Sequence, residues 1–393
     1  MKTRDKEIEI YIHIPFCVKK CDYCDFLSFP SDADTREYYV NALCSEIELK
    51  AKKLNDKTVS SIYIGGGTPS SIETKLIIKI MNTLDSAFTI SRDAEVTIEC
   101  NPGTVSKDGL SVYKSYGINR LSIGLQSANE HELKLLGRIH DYDSFVRTID
   151  AVLKAGFINY SVDIMYGLPG QTLESLRKTL KAVTMFRPKH ISAYSLIIEE
   201  GTPFFDRYND DYISQCMAKK TKYLPEENVL CEMTDYVNAF LKGRGYEQYE
   251  VSNYAKAGYE CRHNIGYWKR TPYIGFGLGA ASLYEEVRYK NITDLDMYIK
   301  NYSLANPIIE YEEQDALTAG ESMSEFMILG LRMNEGVSFD DFYNAYRMSL
   351  ENVYGSQIER LINQELLVNE GNRIKPTLRG LELQNTIARE FIE

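Results

Sequence analysis

Cys17, Cys21 and Cys24 stand in "HIPFCVKKCDYCDF", with three and then two residues between them. Thiolates at that spacing can wrap a metal centre within one short loop, and two centres are compatible with the spacing alone. A [4Fe–4S] cube has four irons, so three cysteines leave one iron without a local cysteine and open to an external ligand. A single zinc ion would instead take His13 with the three thiols as a Cys3His set. Cys44, Cys100, Cys216, Cys231 and Cys261 are scattered and read as small buried hydrophobes. A tight trio in a chain read as cytoplasmic argues for a metal rather than for disulfides.

Further polar groups follow at intervals. "YIGGGTP" puts Gly65, Gly66 and Gly67 at the end of a strand pattern, where bare main chain can meet a small polar ligand. Glu99, Gln126 and Asp163 end successive strand patterns, and Arg138 in "LLGRIH" can pair with a carboxylate. An open iron, a glycine ledge and a ring of polar groups describe a site for an amino-acid-like ligand carrying a nucleoside.

The elements that must position these groups are strands alternating with helices. "EIEIYIHI", "VSSIYIGGG", "EVTIECNPG", "NRLSIGLQ", "NYSVDIMYGLPG" and "HISAYSLII" read as strands. Helical stretches separate them near 34–54, 71–87, 106–116, 129–136 with 142–155, and 172–186. That alternation predicts a parallel sheet with right-handed crossovers. With six such strands the expectation is an α/β fold, a partly closed (β/α)6 barrel of TIM-like type. Ile8, Ile10, Ile12 and Ile14 share one strand face, and Glu9, Tyr11 and His13 the other. The aliphatic faces should pack on helices and the polar faces should line the interior, where polar groups are costly unless they bind something. Sites in βα architectures sit at the C-terminal strand ends.

Residues 200–265 read as mixed helix with an irregular Tyr-rich end, and "TPYIGFGLGAASLY" as a glycine-rich strand or turn covering the barrel. "EQDALTAGESMSEFMILGLRM" reads as one amphipathic helix, and Ser338 as the N-cap of the next. A helix, hairpin and helix set then ends the chain like a small winged-helix α+β domain. The domain expectation is 1–200 for the barrel, 201–310 for the covering extension and 311–393 for the appendage. The 393 residues carry 45 basic against 56 acidic side chains, a net charge of −11. That balance argues against nucleic acid as a general partner. No run reaches the roughly 18 apolar residues of a bilayer span.

The cysteine motif after a first strand, with a glycine-rich second strand, resembles the radical S-adenosylmethionine superfamily. "YIHIPFCVKKCDYCDF", "GGGTP", "GLQS", "DIMYGLPGQT" and "HNIGYW" are similar, more narrowly, to the group of anaerobic coproporphyrinogen III oxidases and related heme chaperones. The resemblance implies a [4Fe–4S] cluster on Cys17, Cys21 and Cys24, with S-adenosylmethionine chelating the fourth iron. It implies ligand contacts at Tyr11, Tyr23, Gly67, Thr68, Glu99, Gln126, Arg138, Asp163, Ser195 and Ala281. Reductive cleavage of the sulfonium to a 5′-deoxyadenosyl radical is the chemistry of that superfamily, and the protein's part is to orient the ligand and exclude water.

Within the group, the oxidases carry another cysteine where this chain has Phe26, and a longer segment before the first strand. Both departures, with "HNIGYW", point to the chaperone branch, and oxidative decarboxylation of coproporphyrinogen III is the alternative. On the chaperone reading His263 is the candidate axial ligand to heme iron, with Cys261 as its rival. Tyr267 and Trp268 would stack on the macrocycle, and Arg262, Lys269 and Arg270 would pair with propionates. The partners implied are heme, a heme-accepting protein that can be membrane-associated, and an electron donor if the cluster turns over. A homodimer is compatible with the resemblance.

Overall fold

The computed structural model describes residues 6–392. Six parallel strands lie side by side in chain order: β1 (Glu7–Ile14), β2 (Thr58–Gly66), β3 (Thr89–Cys100), β4 (Arg120–Gln126), β5 (Tyr160–Tyr166) and β6 (His190–Ser195). The expected face pattern holds across the ladder: Ile10 pairs with Ile62, and Ile62 with Val96. Ile8, Ile10, Ile12 and Ile14 are each no more than 1% exposed. Burying one such side chain is worth about 1.5–3 kcal/mol, so a one-residue slip of β1 would forfeit all four at once.

The crossover helices fall where the sequence puts them: Ala33–Ala51, Thr74–Ala87, Lys107–Ser115, Tyr142–Lys154 and Leu173–Met185. Most start on a side-chain cap. Asp32 accepts from the Thr35 N–H, Ser106 from Gly109, Asp141 from Ser144 and Thr172 from Ser175.

The sheet does not stop at six strands. Beyond β6 lies an antiparallel hairpin of β7 (Glu247–Glu250) and β8 (Asn253–Ala255). On the other side β9 (Tyr273–Phe276) pairs parallel with β1, with Ile274 opposite Ile10. β10 (Ala281–Tyr284), β11 (Val287–Asn291) and β12 (Tyr311–Ala316) continue that edge, giving a 12-stranded sheet running from β12 to β7. Two expectations are corrected here. Residues 271–284 extend the sheet rather than cover it, because the free edge of β1 needs a hydrogen-bonding partner. Gly275 permits this, since a side chain there would collide with the Ala281 carbonyl. Residues 311–316 are a strand rather than the start of a helix. Their charged, largely exposed side chains suit a solvated sheet edge, and the helix begins at Ala319 behind the Thr318–Glu321 capping box.

A second, three-stranded antiparallel sheet of β13 (Val337–Ser338), β14 (Leu367–Glu370) and β15 (Arg373–Pro376) lies near the C-terminus. With neighbouring helices it encloses its own core, including Met327, Phe342, Leu361, Ile374 and Phe391. Ser338 caps the helix Phe339–Tyr346 as expected, accepting from Asp341. Among the described residues no helix is long and apolar enough to cross a membrane.

Candidate cofactor-binding site

The cysteine loop leaves the C-terminal end of β1 and is pinned at its base. Cys17 N–H donates to Phe29 O at 3.1 Å, and Phe29 N–H to Pro15 O at 2.9 Å. Phe16 packs edge-on against Phe29 and Tyr39. The loop is also laced to the glycine turn after β2: Gly67 N–H donates to Ile14 O and Thr68 N–H to Phe16 O, both at 2.8 Å. The glycines therefore have a second reason to be there. A Cβ on Gly67 would sit 2.7 Å from Phe16 O and 3.0 Å from Cys17 Sγ. One on Gly66, at φ +110°, would sit 2.6 Å from the His13 ring.

Cys17, Cys21 and Cys24 all face one cavity of about 400 Å³. Among the described residues no three His, Cys, Asp or Glu side chains converge on a single ion position. The Cys3His zinc set is not assembled: His13 bonds Tyr11 OH through Nδ1 at 3.0 Å and Leu27 O through Nε2 at 2.9 Å. Cys100 also lines the cavity, but burial pushes its thiol up to about 12, which suits a neutral side chain rather than a fourth thiolate.

Around the thiols stand the strand-end groups. The Glu99 carboxylate accepts from Tyr63 OH at 2.8 Å and from Gly66 N–H at 3.2 Å. Burial raises its pKa to about 7 despite those bonds, helped by nearby Asp163. Asp163, also raised by burial, accepts from Ser122 at 3.1 Å and Ser161 at 3.2 Å. Gln126 holds a left-handed backbone, φ +72°, and accepts from Tyr194 OH at 2.8 Å. Arg138 donates to Asn101 Oδ1 at 2.7 Å, to Gly124 O at 2.5 Å and to Cys21 Sγ at 3.6 Å.

Of the expected contacts, Tyr23, Gly67, Thr68, Glu99, Gln126, Arg138 and Asp163 line the cavity of the three thiols. Tyr11 lines an adjoining cavity of about 370 Å³ that shares Tyr63, Gly66 and Glu99 with the first. Ser195 ends β6 without lining either, and Ala281 lies exposed on β10, beyond β9. Asn101 was missed. It sits directly after β3 and joins the expected residues, donating to Thr68 Oγ1 at 2.8 Å while accepting from Arg138. Its place right after Glu99 and Cys100 in "ECNPG" was the available signal.

The "HNIGYW" segment forms a helix, Arg262–Trp268, that packs at the opposite end of the strands. Its Gly266 lies so close to the Glu9 carboxylate that a side chain there would collide with it. His263 is 2% exposed. Its Nδ1 pairs with Ser61 Oγ at 2.8 Å, its Nε2 with Tyr267 OH at 3.0 Å, and its ring stacks on Tyr63. Burial, with Arg120 nearby, lowers its pKa to about 3, so the ring is neutral. Tyr267 shares the cavity of about 370 Å³ with it, whereas Trp268 does not line that cavity. Trp268 instead carries the Arg332 guanidinium 4.6 Å over its ring and lines a separate small pocket with Phe326 and Met333 of the C-terminal region. Arg262 is paired with Asp93, Lys269 with Glu335, and Arg270 with Glu286 and Glu325. Cys261 is buried against Glu95, and burial pushes its thiol up to about 12; Cys44 and Cys100 are buried as expected, whereas Cys216 and Cys231 are exposed on their helices.

Residues 11–183 match the radical SAM superfamily, and residues 317–383 match the HemN C-terminal domain. The heme chaperone HemW of Lactococcus lactis is 34% identical over 383 residues, 97% of this chain and 96% of that protein. The heme chaperone HemW of Escherichia coli is 32% identical, covering 98% of each. The chain belongs to the HemW family of radical SAM proteins. Membership in that superfamily implies a [4Fe–4S] cluster and S-adenosylmethionine as cofactors, and three thiols on one loop facing a cavity that Glu99, Arg138 and Asp163 also line suit that pair. The solved coproporphyrinogen III oxidase HemN of Escherichia coli, a radical SAM enzyme, overlays 99% of this chain and 91% of its own at a TM-score of 0.83. At 23% identity that likeness establishes the shared fold.

Proposed function

We propose that this chain is a heme chaperone, binding heme and passing it to an acceptor protein. The observation that carries this reading is its end-to-end likeness to proteins named heme chaperone HemW, 34% identical in two of them. Cys17, Cys21 and Cys24 would hold the cluster, and the amino and carboxylate groups of S-adenosylmethionine would take its remaining iron. When bound, that pair supplies one-electron chemistry at a sulfonium centre. The chain's own contribution is positional. Arg138, held by Asn101 and Gly124, presents a fixed guanidinium beside Cys21. Glu99 and Asp163 offer acceptors to ligand hydroxyls, and Glu99, near pH 7, can hold or release a proton there. Ser195 and Ala281 would contact the ligand only after movement at the ends of β6 and β10.

For heme, His263 and Tyr267 remain the proposed contacts. An axial bond from Nε2 requires Tyr267 OH to give up its hydrogen bond first, and the neutral ring is the form that ligates iron. Trp268 stacking on the same macrocycle would require it to leave Arg332. The division at 1–200, 201–310 and 311–393 is likewise a proposal, supported at its C-terminal end by the separate core from Met327 to Phe391. The same reading makes the chain cytoplasmic, supplied by an electron donor when the cluster turns over. It admits a membrane-associated acceptor and a homodimer. Anaerobic titration of the purified chain with heme tests the proposal: a shifted Soret band supports it, and its absence refutes it.

A further inference from the structure

A corner remote from the cysteine loop gathers four cations. Arg187 follows the helix Leu173–Met185, Lys189 immediately precedes β6, Arg244 follows the helix Glu227–Lys242 and Lys256 follows β8. With Tyr246 and Tyr259 they line a cavity of about 570 Å³ whose walls include no carboxylate. Among the described residues none of the four is in an ion pair, in a chain whose net charge is −11. Three of the charges rest on rings instead. Lys189 Nζ lies 4.9 Å from the Tyr259 ring centre, Lys256 Nζ 4.0 Å from Tyr246, and Arg244 Cζ 3.5 Å from Phe240.

The plainest alternative is helix capping, since cations are favoured at helix C-termini. It accounts for Arg187 and Arg244, and Lys256 donates to the Arg244 carbonyl. It does not account for Lys189, which heads a strand, or for the convergence of all four on one cavity. The main chain fixes two of the like charges as neighbours: Lys256 N–H donates to Lys189 O at 2.8 Å. Burial and the charge of Lys189 hold Lys256 below the usual lysine range, the sign of a cluster without its counter-charge.

We propose that this corner binds an oligophosphate, free or carried on a nucleotide. Arginine meets phosphate oxygens with a planar fork and lysine as a point charge. The volume falls in the range of roughly 300–1,000 Å³ of small-ligand sites. A single carboxylate would neutralise one of the four charges, whereas a di- or triphosphate carries several in a compact length. A compact corner, rather than a long basic stripe, favours a compact anion over a nucleic-acid backbone. The site is separate from the cysteine cavity and does not depend on the heme reading.

Calorimetric titration of the full chain with inorganic tripolyphosphate, ATP and adenosine in parallel tests it. The expected result is saturable binding of tripolyphosphate or ATP that weakens as salt rises. The double variant Arg187→Gln/Lys189→Gln should weaken it at least tenfold while keeping its circular dichroism, and Arg244→Gln, at an exposed side chain, should weaken it independently. Tripolyphosphate bound as tightly as ATP assigns the free anion; tighter ATP with silent adenosine assigns a nucleotide. No saturable binding of either, or binding unchanged in the variants, overturns the proposal.

Discussion

The Arg138 guanidinium reaches the sulfur of Cys21, with Nη1 3.6 Å from Sγ, while Nη2 is clamped by Asn101 at 2.7 Å. One side chain thus couples the cysteine loop after β1 to the ends of β3 and β4. Losing the clamp leaves a buried charged group short of a partner, which costs about 1–3 kcal/mol. Asn101→Ala should therefore weaken S-adenosylmethionine binding by roughly 5- to 150-fold while leaving the visible absorption of the reconstituted cluster in place. Equilibrium dialysis with the ligand measures the first quantity and absorbance the second.

Gly67→Ala tests the lacing of the cysteine loop. The added methyl would press on Phe16 O and Cys17 Sγ, at 2.7 and 3.0 Å, and the backbone oxygen cannot retreat without opening the bond from Thr68. Iron incorporation should fall well below wild type. Iron analysis after identical anaerobic reconstitution is the check, with Gly355→Ala, where an added Cβ meets nothing closer than 4.0 Å and the backbone is not left-handed, as the comparison.

Glu9 is a stability switch. Burial, above all, raises its pKa from 4.5 to about 9, so the folded chain holds a proton that the unfolded chain releases. Stability from this group is complete below about pH 4.5 and declines as pH rises towards 9. Glu9→Gln keeps the shape without the titration. Urea midpoints at pH 5, 7 and 9 should show the variant gaining on wild type at each step, and a constant difference would contradict this account.

The heme contacts separate by substitution. Tyr267→Phe removes the hydroxyl that occupies His263 Nε2, so axial ligation by His263 predicts tighter heme binding in Tyr267→Phe and weaker binding in His263→Ala. Equal Soret titrations for both variants and wild type would remove His263 from the heme site.

Much of this was legible in the sequence, for a physical reason. β1 to β5 have one aliphatic and one polar face, so alternation marks both the strands and the groups they aim inward. β12, "YEEQDA", is polar on both faces and carries no such period, and the pairing of β9 with β1 depends on which edge is left free. Local pattern likewise cannot say at which end of the strands a helix docks. "HNIGYW" by itself fits either ordinary packing or a heme contact, and His263 packs against Ser61, Tyr63 and Tyr267 while lining the cavity beside Tyr11. Asn101 went unread because its role comes from Thr68 and Arg138, 33 and 37 residues away along the chain.

The most direct measurement is iron and sulfide content, with zinc, after anaerobic reconstitution of wild type and Cys21→Ala. The account predicts about four irons per chain in wild type, and loss of that iron in the variant with the far-ultraviolet circular dichroism preserved. A single zinc and no iron in wild type, or an unchanged cluster in Cys21→Ala, would contradict it.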